Sequence, residues 1–343
     1  MRRRPRIRVR GGGICAVTAA TLLRARGAEV RVHVRPFARG RIVAIPVETL
    51  ALASDLLGLT AQSLSIGPMV EHRRVDWSGG EVRVVPQVAL VCDAADLAAR
   101  LATPLRDAGC LDHDESDEEE SDWVLEAFGR HGRRAPAGER VGQFARVDGH
   151  FSREELTVTA TRSGWIFTAP HPRGGLAVLI VSPSAALSAA TEGDLAERLA
   201  EIRVDASAAQ VTELSRPEPV GPALADPLWS GNSLKVGDAA LALDPLRGDG
   251  VGFALRGALL AQAVLARIDG DTSRAESLGH YSERVRRTFV AHVEGCRDYY
   301  RVARFAEIWN RDVTAMGAVT ETSGQPAGQL GLRLHGRNLI PVS

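Results

Sequence analysis

An α/β fold is predicted, with a Rossmann-like domain interleaved with an antiparallel β-sheet domain and closed by C-terminal helices. Three observations predict it. Residues 7–34 run strand, glycine turn, small apolar helix and strand. Residues 144–183 change to period-two strands separated by turns. The last third returns to a glycine turn followed by long Ala/Leu/Arg helices. A βαβ unit implies a parallel sheet covered by helices, and an antiparallel block inside it implies a second domain inserted between halves of the first.

Taken in order, Ile7-Arg8-Val9 is β-prone and Gly11-Gly12-Gly13 is a turn. Ile14 to Arg26 suits a helix that Gly27 ends, and Glu29 to Val34 alternates with period two. Val84-Val85 and Val88 to Cys92 read as a further buried strand of the first domain, and Asp93 to Asp96 can start the helix that follows. The acidic run Asp112 to Asp122 (DHDESDEEESD) cannot pack, because its carboxylates would repel one another when desolvated. It reads as a solvated loop, the alternative being a docking site for a basic partner. Leu156 to Val158, Trp165 to Phe167 and Leu176 to Val181 form a meander. The expected division is 1–40, 80–111 and 228–290 for the nucleotide-binding domain and 41–79 and 123–227 for the substrate domain. Residues 112–122 are the acidic loop and 291–343 the C-terminal helical segment.

A chain of 343 residues can bury a large core. Basic and acidic residues balance at 42 each, which argues against a nucleic-acid or membrane-surface partner. Lys235 is the only lysine, so any mechanism needing one has a single candidate. Four scattered cysteines without a CxxC pair give no zinc site or disulfide framework and point to a reducing cytoplasm. Met1-Arg2-Arg3-Arg4 is not followed by the uninterrupted apolar stretch of a signal peptide, and no run approaches the roughly 20 apolar residues of a membrane span.

Gly11-Gly12-Gly13-Ile14-Cys15-Ala16 fits G-x-G-x-x-[GA], which singles out Gly11, Gly13 and Ala16. Glycine permits the tight turn and close backbone approach to a pyrophosphate, and the helix N-terminus supplies free N–H groups. The acid that binds ribose hydroxyls at the end of the second strand is absent. Val34 stands there, between His33 and Arg35. Arg35 can accommodate a 2′-phosphate, which permits a nicotinamide reading, or can be a surface arginine.

Val236 to Ala240, continuing to Asp244-Pro245-Leu246-Arg247-Gly248-Asp249-Gly250, resembles the second FAD motif of the flavoprotein monooxygenases related to p-hydroxybenzoate hydroxylase. That superfamily also includes halogenases and the flavoproteins that mature quinone-containing amine oxidases. The resemblance implies that Asp238 binds the ribityl chain. It implies also that Pro245, Gly248 and Gly250 bring a helix N-terminus to the flavin, where the dipole stabilises the anionic reduced ring. Gly164 to Pro170 is similar to the G-W-x-W-x-x-P strand of the halogenase and amine-oxidase-maturation branch, with Phe167 for the second tryptophan. Tyr299-Tyr300-Arg301 with Ile308-Trp309-Asn310-Arg311 resembles its C-terminal helix. Trp165, Phe167 and His171 are the candidates for the substrate wall; Trp165 and Phe167 can equally be core residues, and His171 structural.

The resemblance implies a Rossmann-like FAD-binding domain and an FAD-dependent oxidoreductase, a monooxygenase hydroxylating an aromatic or peptidyl substrate through a flavin hydroperoxide. NAD(P)H or a separate flavin reductase would supply electrons. The pattern also departs from the family. Besides Val34, the R-x-G-E segment aligns with Arg41-Ile42-Val43-Ala44, and D-A-T-G-R with Asp93-Ala94-Ala95-Asp96-Leu97. No lysine precedes Lys235, which disfavours halogenation. One lost charged hydrogen bond weakens binding about ten- to a hundredfold. Three such losses open the alternative of a flavin-free relative acting as a binding or maturation partner.

Overall fold

The computed structural model describes residues 3–34, 40–60, 62–112, 120–129, 134–149, 151, 155–184, 192–202, 210–269, 274–322 and 331–342. The first third holds β1 (Arg6–Arg10), α1 (Ile14–Ala25), β2 (Glu29–His33), β3 (Ile42–Pro46), α2 (Val47–Leu57), β4 (Met69–Asp76), β5 (Arg83–Asp93), α3 (Ala94–Leu101) and α4 (Thr103–Asp107). There follow β6 (Leu111–Asp112), β7 (Trp123–Glu126), β8 (Arg134–Pro136), β9 (Arg140–Asp148), β10 (Glu155–Thr161), β11 (Gly164–Pro170), β12 (Leu176–Pro183) and α5 (Glu192–Glu201). The short strands β13 (Gln210–Leu214), β14 (Glu218–Pro219), β15 (Ala223–Ala225), β16 (Trp229–Ser230), β17 (Ser233–Lys235) and β18 (Leu241–Ala242) come next. Helices α6 (Gly250–Asp269), α7 (Arg274–Arg301) and α8 (Asn310–Thr322) and the hairpin β19 (Leu332–His335)–β20 (Asn338–Pro341) complete the chain.

Two large sheets organise the molecule. The first runs β16-β17-β7-β1-β2-β6 and is parallel except for the β16–β17 hairpin. Alternation in β1 buries Ile7 and Val9 beneath α1 and leaves Arg10 exposed. No charged residue occurs in α1 before Arg24, and nearly every side chain from Ile14 to Leu23 is buried, because α6 packs against it. Ala16, Ala19 and Ala20 on α1 and Ala258 and Ala261 on α6 are all 0% exposed, so small residues let the two helices approach closely. α6 is long and apolar enough to span a membrane, yet this stretch is more than half buried inside the protein.

The second sheet runs β13-β9-β12-β11-β10-β4-β5-β3, with β14 also paired to β9, and is antiparallel apart from β10–β4. Leu195 and Leu199 of α5 cover its outer face over Ile166, Val178 and Ile180. The opposite face carries Ala160, Trp165 and Val181 into the main core. In α7 the buried residues Leu278, Tyr281, Val285, Phe289, His292, Cys296 and Tyr300 recur every three or four positions, the period of a helix with one side inward.

Several boundaries differ from those expected. β5, placed by sequence in the first domain, pairs antiparallel with β3 and β4 in the second sheet. Its own residues say little about which sheet it joins, because membership is decided by distant partners. β7, placed in the substrate domain, lies in the parallel sheet beside β1, and only four residues mark it. Asp112 belongs to β6, and Asp122 accepts the Arg6 N–H at 2.7 Å; positions 113–119 of the acidic run lie outside the described residues. The C-terminal segment ends in a hairpin, which holds the end of α2 through Arg337.

Candidate functional site

The fold brings the two glycine motifs together. Gly11 takes φ +135°, and a Cβ there would fall 2.7 Å from the Ala127 carbonyl carbon and nearer still to its oxygen. Only glycine fits both conditions. Its N–H reaches His33 O at 2.9 Å, locking the turn to the end of β2. Gly13 is the N-cap of α1; among the described residues no side chain caps this helix, and its first turn holds no acid. Those amides are therefore open to an anion. Ala16, fully buried, sits where close helix packing admits only a small side chain.

Gly237, at φ +56°, faces this helix: a Cβ on it would lie 2.7 Å from the Cys15 Cβ. Asp238 follows, half-buried on the short 3₁₀ turn Gly237–Ala239. Burial and then the Asp238 charge push the Cys15 thiol up to about 12. Asp244 caps a second 3₁₀ turn, Pro245–Arg247, by accepting Leu246 N–H at 2.9 Å. Gly248 then reverses the chain in the left-handed region and Gly250 begins α6. Asp249 pairs with Arg256, two turns along the helix.

Arg73 of β4 reaches this loop, its Nη2 3.8 Å from where a Gly248 Cβ would stand. Its Nε is buried with no hydrogen-bond partner among the described residues, and burial lowers its pKa. A desolvated guanidinium without a carboxylate is an incomplete arrangement that an anionic group would complete.

Behind the loop lies a fully buried polar cluster. The Arg140 Nε pairs with Asp244 Oδ2 at 2.8 Å and its Nη1 with Asp312 Oδ1 at 2.7 Å. Burial lowers the Arg140 pKa, but Asp244, Tyr300 and Asp312 outweigh it and raise it overall. Burial raises Asp312 against the pull of Arg140. His292 Nε2 accepts the Asp244 N–H at 2.8 Å, and burial above all lowers its pKa to about 4.

The three substrate-wall candidates do not line one surface. Trp165 is 1% exposed and donates to Tyr300 OH at 3.0 Å, so it belongs to the core. Phe167 is half-buried in a row with Val158, Leu179 and Phe144 across the sheet. His171 follows β11, its Nδ1 accepting Arg173 N–H at 3.1 Å in a tight turn. Burial, then Arg146 and Arg173, lowers its pKa. It borders a groove of about 420 Å³ lined also by Arg41, Phe144, Arg146, Glu213 and Glu218. Arg35 lies outside the described residues.

Val34 bears no acid, and its N–H goes to Asp112 O at 2.9 Å. The D-A-T-G-R pattern is met not at Asp93 to Leu97 but further along the chain. Glu126-Ala127-Phe128-Gly129-Arg130 keeps the acid, alanine, glycine and arginine of that pattern. It follows the strand parallel to β1, and Ala127 presses on Gly11. Asp93, by contrast, ends a strand of the other sheet, where it caps α3. The pattern itself could have found this segment, had the acidic run before it not hidden so short a strand.

No family model and no curated protein matches the sequence. Solved structures do. The peptidyl tryptophan dihydroxylase QhpG, essential for tryptophylquinone cofactor biogenesis, superposes with TM-score 0.73 at 20% identity, over 99% of this chain and 86% of that one. The chain has the fold of the flavin-dependent monooxygenases. The flavin-dependent halogenase CmlS gives 0.76 at 17% identity, over 91% of this chain and 68% of that one. The 2,6-dihydroxypyridine-3-hydroxylase of Arthrobacter nicotinovorans gives 0.65 at 17%, over 89% and 94%.

Proposed function

We propose that this protein is an FAD-dependent monooxygenase that hydroxylates an aromatic group presented on a peptide. The observation that carries the FAD reading is the Cys15–Gly237 contact, which brings both cofactor motifs together at a place where Gly11 and Gly237 admit no side chain. FAD fits the residues present. The open amides of α1 would hold the pyrophosphate, Asp238 the ribityl chain, and the Pro245–Gly250 loop with Arg73 the ring. The ribose would be held without the usual acid at Val34. Bound FAD supplies the two-electron chemistry that activates O₂, with NAD(P)H, directly or through a separate reductase, as the reductant. The chain's own residues then bind and orient the cofactor and keep water from it. Halogenation is disfavoured: Lys235, the only lysine, lies on β17 with its Nζ on Pro227 O at 2.9 Å.

The groove beside the aromatic strand favours a peptide over a free metabolite. It is open, lined by paired charges such as Arg41–Glu218 and Arg146–Glu213, and by Phe144. The peptidyl substrate of QhpG, whose fold covers nearly the whole chain, supports the same reading. Protein loaded with FAD, supplied with NADPH, a flavin reductase and O₂, is expected to add oxygen to Trp- or Tyr-containing peptides, seen by mass spectrometry. Oxygenation of free small aromatics alone would overturn the peptide reading, and failure to retain FAD the whole proposal.

A further inference from the structure

We infer that Arg140 and Tyr300 are positioning residues for the second cofactor loop, and that they tie this loop to the strand carrying Trp165. The inference rests on the FAD reading above. The N–H and both carboxylate oxygens of Asp244 at the loop's start are held. Its N–H goes to His292 Nε2 at 2.8 Å, Oδ1 accepts Leu246 N–H at 2.9 Å, and Oδ2 meets Arg140 Nε at 2.8 Å and Tyr300 OH at 3.1 Å. Arg140 is anchored in turn by Asp312 Oδ1 at 2.7 Å, by Ala137 O at 3.0 Å and by the Tyr300 ring, 4.9 Å from its centroid.

The proton order is fixed by chemistry. An indole N–H only donates, so the Tyr300 oxygen accepts from Trp165 at 3.0 Å, and the hydroxyl proton points to Asp244. His292 Nε2 accepts a backbone N–H, which requires the neutral ring protonated at Nδ1. A chain of donors therefore runs from Trp165 through Tyr300 to the residue that caps Pro245–Arg247, just before Gly248 and α6.

Buried ion pairs seldom stabilise more than well-packed apolar side chains do. This one joins β9, α7 and α8 to a single loop, as a device that holds loop geometry would. C-terminal helices α7 and α8 thus belong to the support of the second loop, α7 through His292 and Tyr300 and α8 through Asp312.

Tyr300→Phe keeps the ring and cuts the chain, and Arg140→Lys keeps the charge and loses the fork. Val285→Ala, in the same helix and away from Asp244, serves as a destabilised control. Each is titrated with FAD by fluorescence quenching, and the midpoint potential of bound FAD is measured by dye equilibration. Tyr300→Phe is expected to weaken FAD binding at least tenfold and to shift the potential by about 30 mV, a tenfold change in the reduced-to-oxidised affinity ratio. Arg140→Lys is expected to fall between it and the parent, and Val285→Ala to leave both quantities unchanged. Variants that lose stability yet match the parent in affinity and potential would overturn the inference while leaving the FAD reading intact. A parent chain that binds no FAD sinks both.

Discussion

The two halves of the candidate cofactor site are held by opposite means. At Gly11 to Ala16 the constraint is shape: a glycine pressed on Ala127, an uncapped helix start and a buried alanine, with no charged side chain taking part. At Asp244 to Gly250 it is charge: an arginine and two carboxylates locked in the interior, with a tyrosine and a histidine completing their bonds. Shape tolerates no enlargement, whereas a charged cluster tolerates substitutions that keep its bonds and fails when one partner is removed.

The comparison can be broken most forcefully at Gly11. Gly11→Val adds a branched side chain at positive φ, against a carbonyl that cannot move without shifting β7. Complete loss of FAD retention on desalting is expected. Retention at parent level would show that the first turn is not constrained by shape. Next in size, Arg140→Met leaves Asp244 and Asp312 buried without their cation and is expected to cost about 3–5 kcal/mol in urea unfolding. A loss below about 1 kcal/mol would mean that the carboxylates find other partners or take up protons at no cost.

A smaller effect follows from His292. Its folded pKa is lowered to about 4 from 6.5, so between those values the unfolded chain binds more protons. Stability should fall as pH drops from 6.5 towards 4, by up to about 1.4 kcal/mol per pH unit from this group. His171 and His280 shift in the same direction and add to the slope. Comparison with His292→Gln over this range isolates the share of His292; equal slopes would remove it from the account. The smallest effect is expected at Arg73. Arg73→Met should bind reduced FAD about tenfold more weakly relative to oxidised FAD, moving the midpoint about 30 mV more negative. An unchanged potential would show that this guanidinium does not face the ring.

The same contrast explains what was legible in the sequence. The shape-based half could be read directly, because a glycine turn between an alternating strand and a small-residue helix is a local pattern. Asp238, Pro245, Gly248 and Gly250 were legible by resemblance, being consecutive in the chain. The charged cluster was not. Asp244 and Tyr300 fall in segments that carry a resemblance, but nothing in the sequence links them to each other, to Arg140 or to Asp312 until α7 and α8 fold back on β9. β7 was missed because four residues after an acidic run carry too little periodicity, and with it the true place of the Glu126 to Arg130 segment. Trp165 belonged to the core, as one of its two readings held.

The central claim is that both motifs form one working FAD site, and the visible absorption spectrum of the purified protein tests it most directly. The protein is incubated with excess FAD and desalted, beside Asp238→Ala. Flavin bands retained by the parent and lost or strongly reduced in Asp238→Ala are the expected result. A well-folded parent that holds no flavin under any condition would contradict the account.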